Sequence, residues 1–391
     1  MTATIVAITS VFGLGVAFSL LGSIKLRLTE RLKIDDAQMG KLISTFMFSC
    51  LIFVLVAGLL RDRFGYQAVA ILGFVAGALA VFILGRAGSY GMAAGACLLL
   101  GVGAMFMNTA GNTLLAEESV LFKEASRSSN LGNVFFGVGA FIVPLLTVWL
   151  FRKTSYAATL GVLALIILAP VVFAVVGTFP EPTGGFSVTE SLKLLAEKQV
   201  ILGALLLLCY IGLEVSMGGW ITTYIKGIGG AETKASTILS GFWIALMVGR
   251  ILTALVLGNL LNLDKQGPWL ILILSLAAAG TIYAMVCAKG VSLGGFAVIL
   301  TGFCFGPIFP TVVGVTLSRT QPELLGSAFS AIFAVGLIGA MFVPAWIGSM
   351  SKGKSIQASM KIAAGTALVL SALALITGVL AGPLLRDLVT R

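Results

Sequence analysis

One carboxylate stands deep inside an apolar run. It is Glu214, in the stretch Tyr210-Ile211-Gly212-Leu213-Glu214-Val215-Ser216-Met217-Gly218-Gly219-Trp220-Ile221-Thr222-Thr223-Tyr224. An Asp, Lys or Arg placed at mid-bilayer costs roughly 2.5–3.5 kcal/mol on insertion scales. A carboxyl group there must face a cavity, pair with a cation or hold its proton, because desolvation disfavours the charged form. Two chemistries follow: a proton-carrying group in a coupled carrier, or a protonated glutamate bonded to a neighbouring helix. On a helix, Tyr210, Glu214, Met217 and Tyr224 share one face. Gly218-Gly219 is expected to break that helix and turn it toward a cavity. Trp220, Tyr224 and Trp243 offer aromatic surface of the kind that covers the C–H side of a sugar, and each is equally able to be packing or an interface anchor. Asn108 and Asn112 lie one helical turn apart, where two amides bind a solute or bridge helices. With no histidine there is no histidine relay or histidine metal site, and the five cysteines form no CxxC pair. They read as small core residues. No metal and no cofactor is expected, with the proton as the coupling ion. Without a nucleophile–base pair, no enzyme is expected either.

The elements that must position these groups are membrane helices. Of 391 residues, 59% are hydrophobic and only 10% charged, with a mean hydropathy of +1.09. No aqueous domain hides that much apolar surface, and the runs are far longer than the roughly 10-residue alternating strands of a barrel. The fold class is an all-α polytopic membrane protein. Twelve apolar segments of about 20 residues are expected as spans. They lie near 4–26, 38–60, 66–85, 91–115, 130–151 and 156–178, then 199–225, 236–258, 268–288, 291–318, 325–350 and 359–385. The first is too long, and too poor in preceding basic residues, for a cleaved signal. Residues 179–198 form a polar linker expected to hold a short amphipathic helix capped by Thr189. It divides the chain into halves at 1–178 and 199–391.

The halves share sequence. Gly139-Ala140-Phe141-Ile142-Val143-Pro144 returns as Gly339-Ala340-Met341-Phe342-Val343-Pro344, 200 positions later. Gly58 maps onto Gly258 at the same offset, and Gly22 lies opposite Gly219 with a small shift of register. Internal repeats of this kind build carriers that open alternately to two sides.

Between spans 2 and 3 the chain reads Gly58-Leu59-Leu60-Arg61-Asp62-Arg63-Phe64-Gly65. Gly58 permits close helix contact, and Asp62 can cap a helix N-terminus and pair with a base. This loop resembles the signature of the major facilitator superfamily. The resemblance implies a twelve-helix carrier whose gate is controlled by Gly58, Asp62, Arg63 and Gly65, with this loop in the cytoplasm. In the second half Asn262 stands at the Asp62 position, so a weaker latch is expected there. The Tyr210–Tyr224 stretch, Gly302-Phe303-Cys304-Phe305-Gly306-Pro307-Ile308-Phe309-Pro310-Thr311 and Asn108–Thr113 resemble the fucose-permease-like branch of sugar:proton symporters. That branch implies carboxylates in spans 1 and 4. Span 1 here has none, and Asn108 stands at the span 4 position.

The expectation is a secondary transporter for a small polar solute, most readily a sugar, working by alternating access and coupled to protons. Glu214 is the proton site, and Asn108, Asn112, Tyr210, Trp220, Tyr224 and Trp243 line the substrate site. The alternative is a carrier of organic anions or an exporter of amphipathic compounds, which the basic Lys25–Lys41 stretch favours. Expected partners are the small-molecule substrate and membrane lipid, with no nucleic acid, and the chain is expected to act as a monomer. The expected location is a bacterial inner membrane with both termini cytoplasmic. Charge does not supply that orientation, since 11 basic residues then lie inside against 14 outside. Arg250 is expected as a structural partner near the cytoplasmic face that balances an acidic group.

Overall fold

Long apolar segments in lipid must satisfy their backbone internally, and helices are the local solution. The computed structural model describes residues 1–180, 193–351 and 355–381. These residues are overwhelmingly helical, and no strand occurs among them. Among the described residues, eleven helices are long and apolar enough to cross a membrane. Span 1 is Thr2–Leu32, spans 2 and 3 share Asp36–Arg86, span 4 is Tyr90–Leu115, span 5 Ala125–Phe151 and span 6 Tyr156–Val176. Span 7 is Lys198–Gly227, span 8 Glu232–Leu260, span 9 Leu263–Cys287, span 10 Val291–Leu317, span 11 Pro322–Ser351 and span 12 Ile356–Leu380. The 51 residues of Asp36–Arg86 would run about 75 Å at 1.5 Å each, against a hydrocarbon core of about 30 Å. Gly65, at φ 78° and ψ −177°, breaks that helix, so it supplies two spans and the total is twelve.

The starts of the helices carry the residues that satisfy orphan amides. Asp35 and Gln38 form a reciprocal capping box on span 2. Ser89, Ser155, Asn262 and Ser355 cap spans 4, 6, 9 and 12 through their side chains. The expected Thr189 cap and its amphipathic helix fall within residues 181–192, outside the described ones.

The chain forms two compact units. One holds residues 1–121, 132–194 and 320–330; the other holds 122–131, 195–319 and 331–391. The first turns of spans 5 and 11 thus belong to a different unit from the rest of those helices, a departure from a division at the linker alone. In the first unit span 1 packs on spans 4 and 5, span 2/3 on span 4, and span 3 on span 6. In the second, span 7 packs on spans 8, 10 and 12, and span 9 on spans 10 and 12.

The sequence repeat marks the tightest crossings. A Cβ on Gly139 would press into the Phe12 carbonyl of span 1, and one on Gly15 into the Phe136 carbonyl of span 5. In the second unit a Cβ on Gly339 would press into the Leu208 carbonyl, and one on Gly212 would lie 2.9 Å from the Gly339 carbonyl. Small residues let helix backbones touch in lipid, where no hydrophobic force draws helices together. Pro144, the last residue of the repeat, has no N–H for the Ala140 carbonyl four residues back. The Ser19 hydroxyl of span 1 donates to that carbonyl at 2.9 Å.

Candidate functional site

The second unit holds an ion pair between spans 7 and 8. Glu214, near the middle of span 7, accepts a hydrogen bond from the Tyr210 hydroxyl one turn earlier at 3.1 Å. Arg250 Nη2 lies 3.6 Å from the same carboxylate oxygen, and the two side chains are 2% and 16% exposed. Arg250 therefore sits at the level of Glu214 along the helices, and the acidic group it balances is Glu214.

Three small features hold the arginine. Cβ atoms on Gly249 and Gly306 would press into the Phe303 and Leu246 carbonyls, so both glycines are needed for spans 8 and 10 to cross closely. Pro310, four residues after Gly306, offers no N–H to the Gly306 carbonyl. Arg250 Nε donates to that carbonyl at 2.9 Å. Tyr210 is fully buried, with Phe305 edge-on at 5.7 Å and Phe309 tilted at 6.3 Å.

The aromatic residues expected beside Glu214 are elsewhere. Span 7 continues unbroken through Gly218 and Gly219 to Gly227, contrary to the expected break. Trp243 packs over Gly218 and meets Phe242 edge-on at 5.2 Å. Trp220 lies further along, donating to the Pro344 carbonyl at 3.2 Å and covering Gly348. With Thr223, Ser351 and Gln357 it lines a cavity of about 320 Å³ near the far end of span 7. Tyr224 is buried and ties span 7 to the Met285 carbonyl of span 9 at 2.8 Å. Only Tyr210 among the expected substrate residues is in contact with Glu214. Trp220 and Tyr224 lie six and ten residues past Glu214, about 1.7 and 2.8 helical turns further along span 7.

In the first unit the amides form a chain. Asn112 Nδ2 donates to Asn108 Oδ1 at 2.8 Å, and Asn133 Nδ2 of span 5 donates to Asn112 Oδ1 at 2.9 Å. Asn108 and Asn112 are fully buried and Asn133 nearly so. Both ends of the Asn112 amide are thus engaged in bridging, whereas Asn108 Nδ2 is buried without a partner, as are Thr109 Oγ1 and Ser10 Oγ. Buried donors are normally satisfied, so Asn108 retains capacity for another acceptor.

The loop after span 2 has a different arginine from the one expected. Asp62 accepts from the amides of Gly326 and Ser327 at 2.8 and 2.7 Å and from the Ser327 hydroxyl at 2.5 Å. It caps the start of span 11, where the helix dipole favours a negative charge. Gly58 makes room, since a Cβ there would overlap the Gly326 carbonyl and Ser330. Arg63 is exposed and lies over the Phe64 ring. Arg61 is the buried partner: it contacts Asp62 at 3.1 Å and the Pro322 carbonyl at 2.7 Å. It also donates to the Tyr66 hydroxyl, which in turn donates to Glu117.

The second copy is intact but shifted. Asn262 caps its own helix through Lys265 N, and Asp264, two residues later, accepts from Ser126 N at 2.8 Å and Ala125 N at 3.1 Å. Glu124 reaches back to Leu263 N at 2.9 Å, so spans 5 and 9 cap one another. Arg127 donates to the Ala254 carbonyl and to Asn259 across the space left by Gly258. The carboxylate of the second copy is thus Asp264 and not the residue at the Asn262 position, displaced by two inserted residues.

A model of the Major Facilitator Superfamily matches residues 3–344. The chain belongs to that superfamily. It is an integral membrane protein built from the superfamily's twelve-helix plan. Among its relatives is a glucose/galactose transporter of Brucella abortus, 24% identical over a 342-residue alignment that covers 80% of this chain and 78% of the relative. Bypass of stop codon protein 6 of Saccharomyces cerevisiae is 25% identical over 307 residues, 66% of this chain and 59% of the yeast protein. The crystal structure of the superfamily transporter FucP in its outward conformation is similar in fold, with a TM-score of 0.80 at 19% identity, covering 96% of this chain and 99% of FucP.

Proposed function

We propose that the chain is a secondary transporter that moves a small polar solute of the sugar class by alternating access, coupled to a proton carried by Glu214. The observation that carries the reading is the Glu214–Arg250–Tyr210 cluster within membrane-crossing helices. A carboxylate kept in such a place can exchange a proton with solvent while its helix packing is unchanged, because only its hydrogen-bond partners need alter. Asn108, with its spare amide donor, is a substrate contact in this reading, and Asn112 holds it in place. The relatives support the solute class: one is a glucose/galactose transporter, and a fold neighbour is the fucose:proton symporter of E. coli.

Asp62 and Asp264 act as gate latches in this cycle, each holding the first turn of a helix that runs on into the other unit. The orientation proposed puts both caps, and both termini, in the cytoplasm of a bacterium. The test is uptake of labelled sugars into proteoliposomes under an imposed pH gradient. Glu214→Gln should abolish gradient-driven accumulation while leaving solute exchange within about threefold of the parent. Accumulation that survives the substitution would remove Glu214 from the proton pathway.

A further inference from the structure

We infer that the first unit carries a binding site for the head group of an anionic phospholipid, built by Arg27, Arg31, Arg152 and Lys153 where span 1 ends and spans 5 and 6 join. All four belong to one compact unit. The inference does not rest on the transport reading. Aromatic rings gather the four cations, and an exposed apolar stripe leads up to them.

Span 1 has 31 residues and runs about 46 Å at 1.5 Å each. The hydrocarbon core is about 30 Å thick, so the helix overhangs it. Arg27 lies over the ring of Phe151, the last residue of span 5, at 5.8 Å. Arg31 lies over the ring of Tyr156, the first residue of span 6, at 5.5 Å. The two rings are stacked, 6.0 Å apart and 8° from parallel. One pair of rings thus holds both guanidinium groups, by the attraction of a cation for an aromatic face. Arg31 Nε donates to the Ala87 carbonyl at 2.9 Å, which fixes the side chain and leaves its two terminal nitrogens for another acceptor. On span 5, Lys153 folds back over the Trp149 ring at 4.4 Å. Arg152 continues the helix in right-handed geometry and is exposed.

Charge and access to lipid select the occupant. Among the described residues, the only acid within ion-pair reach of the four cations is Glu30, 3.8 Å from Arg27 with both side chains more than half exposed. Exposed pairs of this kind hold little energy. Four cations against one acid leave a net charge of +3. Leu145, Val148 and Trp149 are each more than half exposed. With Arg152 they fall at i, i+3, i+4 and i+7, one face of the helix. Tryptophan favours the water boundary of a bilayer, so Trp149 marks the level where hydrocarbon gives way to head groups. An acyl chain lying on this stripe brings its phosphate to Arg152, among guanidinium and ammonium groups that bind phosphate oxygens by charge-assisted hydrogen bonds. A soluble anion uses the cations and has no use for the stripe. In the orientation proposed above the cluster is external, where short loops ordinarily avoid lysine and arginine. Membrane topology therefore does not account for it.

The test is native mass spectrometry of the full chain in detergent, titrated with phosphatidylglycerol or with phosphatidylcholine of the same acyl chains. A lysine or arginine near an anionic lipid surface strengthens binding about fivefold, so phosphatidylglycerol should bind at least tenfold more tightly. Arg27→Gln, Arg31→Gln, Arg152→Gln and Lys153→Gln combined should bring the two lipids to within threefold of one another. Lys33→Gln with Lys41→Gln, outside the cluster, should keep the preference. Phosphatidylglycerol with a photoreactive head group should label the parent protein within residues 25–32 or 149–156, a measurement that does not depend on any variant folding. Glycerol phosphate at about 1 mM, which has the charge and no acyl chains, should leave the bound lipid in place. Equal affinity for the two lipids, a preference that survives the fourfold substitution, or labels confined to other segments would overturn the inference. Displacement by glycerol phosphate would also overturn it, in favour of a soluble-anion site. None of these failures touches the transport reading, which sugar uptake tests separately.

Discussion

Replacing Asp62 by Asn tests the cap on span 11 most directly. The side chain of Asp62 is fully buried and its two oxygens accept the Gly326 and Ser327 amides at 2.8 and 2.7 Å. Asn keeps the shape but offers one acceptor oxygen and turns an NH2 toward the second amide. The variant loses the charge from both bonds and the second acceptor altogether. Hydrogen bonds to charged groups contribute about 1.5–3 kcal/mol each. Taking the low end for each, the capped state is destabilised by about 3 kcal/mol, equivalent to about a hundredfold rise in the opening equilibrium. Hydrogen–deuterium exchange reads that number at the two amides. Exchange at Gly326 and Ser327 should quicken by about two orders of magnitude, while Ala125 and Ser126, capped by Asp264, should not change. Exchange at Gly326 and Ser327 that stays within threefold of the parent would refute the cap.

Other substitutions test the corrected assignments. Asp264→Asn should expose the Ala125 and Ser126 amides to exchange by tenfold or more, whereas Asn262→Ala, which removes only the cap of span 9, should cost about 1 kcal/mol and leave those amides protected. Arg61→Ala should destabilise the protein by about 3 kcal/mol or more, because it strands the buried Asp62 carboxylate; Arg63→Ala should be near neutral in the same thermal-denaturation assay. Gly339→Ala drives a Cβ into the Leu208 carbonyl and should cost about 1–3 kcal/mol by overpacking, with Gly365→Ala, which meets nothing within 4 Å, as the neutral control.

The fold was legible because membrane helices are written in composition and length, and the repeated Gly-Ala-x-x-Val-Pro is a packing instruction: a glycine for the crossing and a proline whose freed carbonyl needs a donor. Gly22 opposite Gly219 implies an offset of 197 for spans 1 and 7, and the structure uses that offset at Gly15 and Gly212. The site was legible less evenly. Glu214 stood out as an acid in an apolar run, but its pairing with Arg250 depends on two glycines and a proline in spans 8 and 10 that meet only in three dimensions. Asp264 was obscured by two extra residues after Gly258, which shift it out of the 200-residue register. Arg61 and Arg63 are neighbours in sequence, and only the helix direction decides which one turns inward. Tyr224 and Tyr210 share a face, but a shared face says nothing of height along the axis.

The exchanged first turns of spans 5 and 11 also bear on how the chain is made. The Ala125 amide leaves the ribosome 139 residues before Asp264, its acceptor. The Gly326 amide, by contrast, emerges when Asp62 has long been in place. Span 5 therefore enters the membrane with its first turn uncapped and is completed only when span 9 arrives. Span 11 finds its acceptor waiting. A nascent chain arrested after span 8 holds a fifth helix whose first turn is still open, so assembly of this protein has a direction in time as well as in sequence.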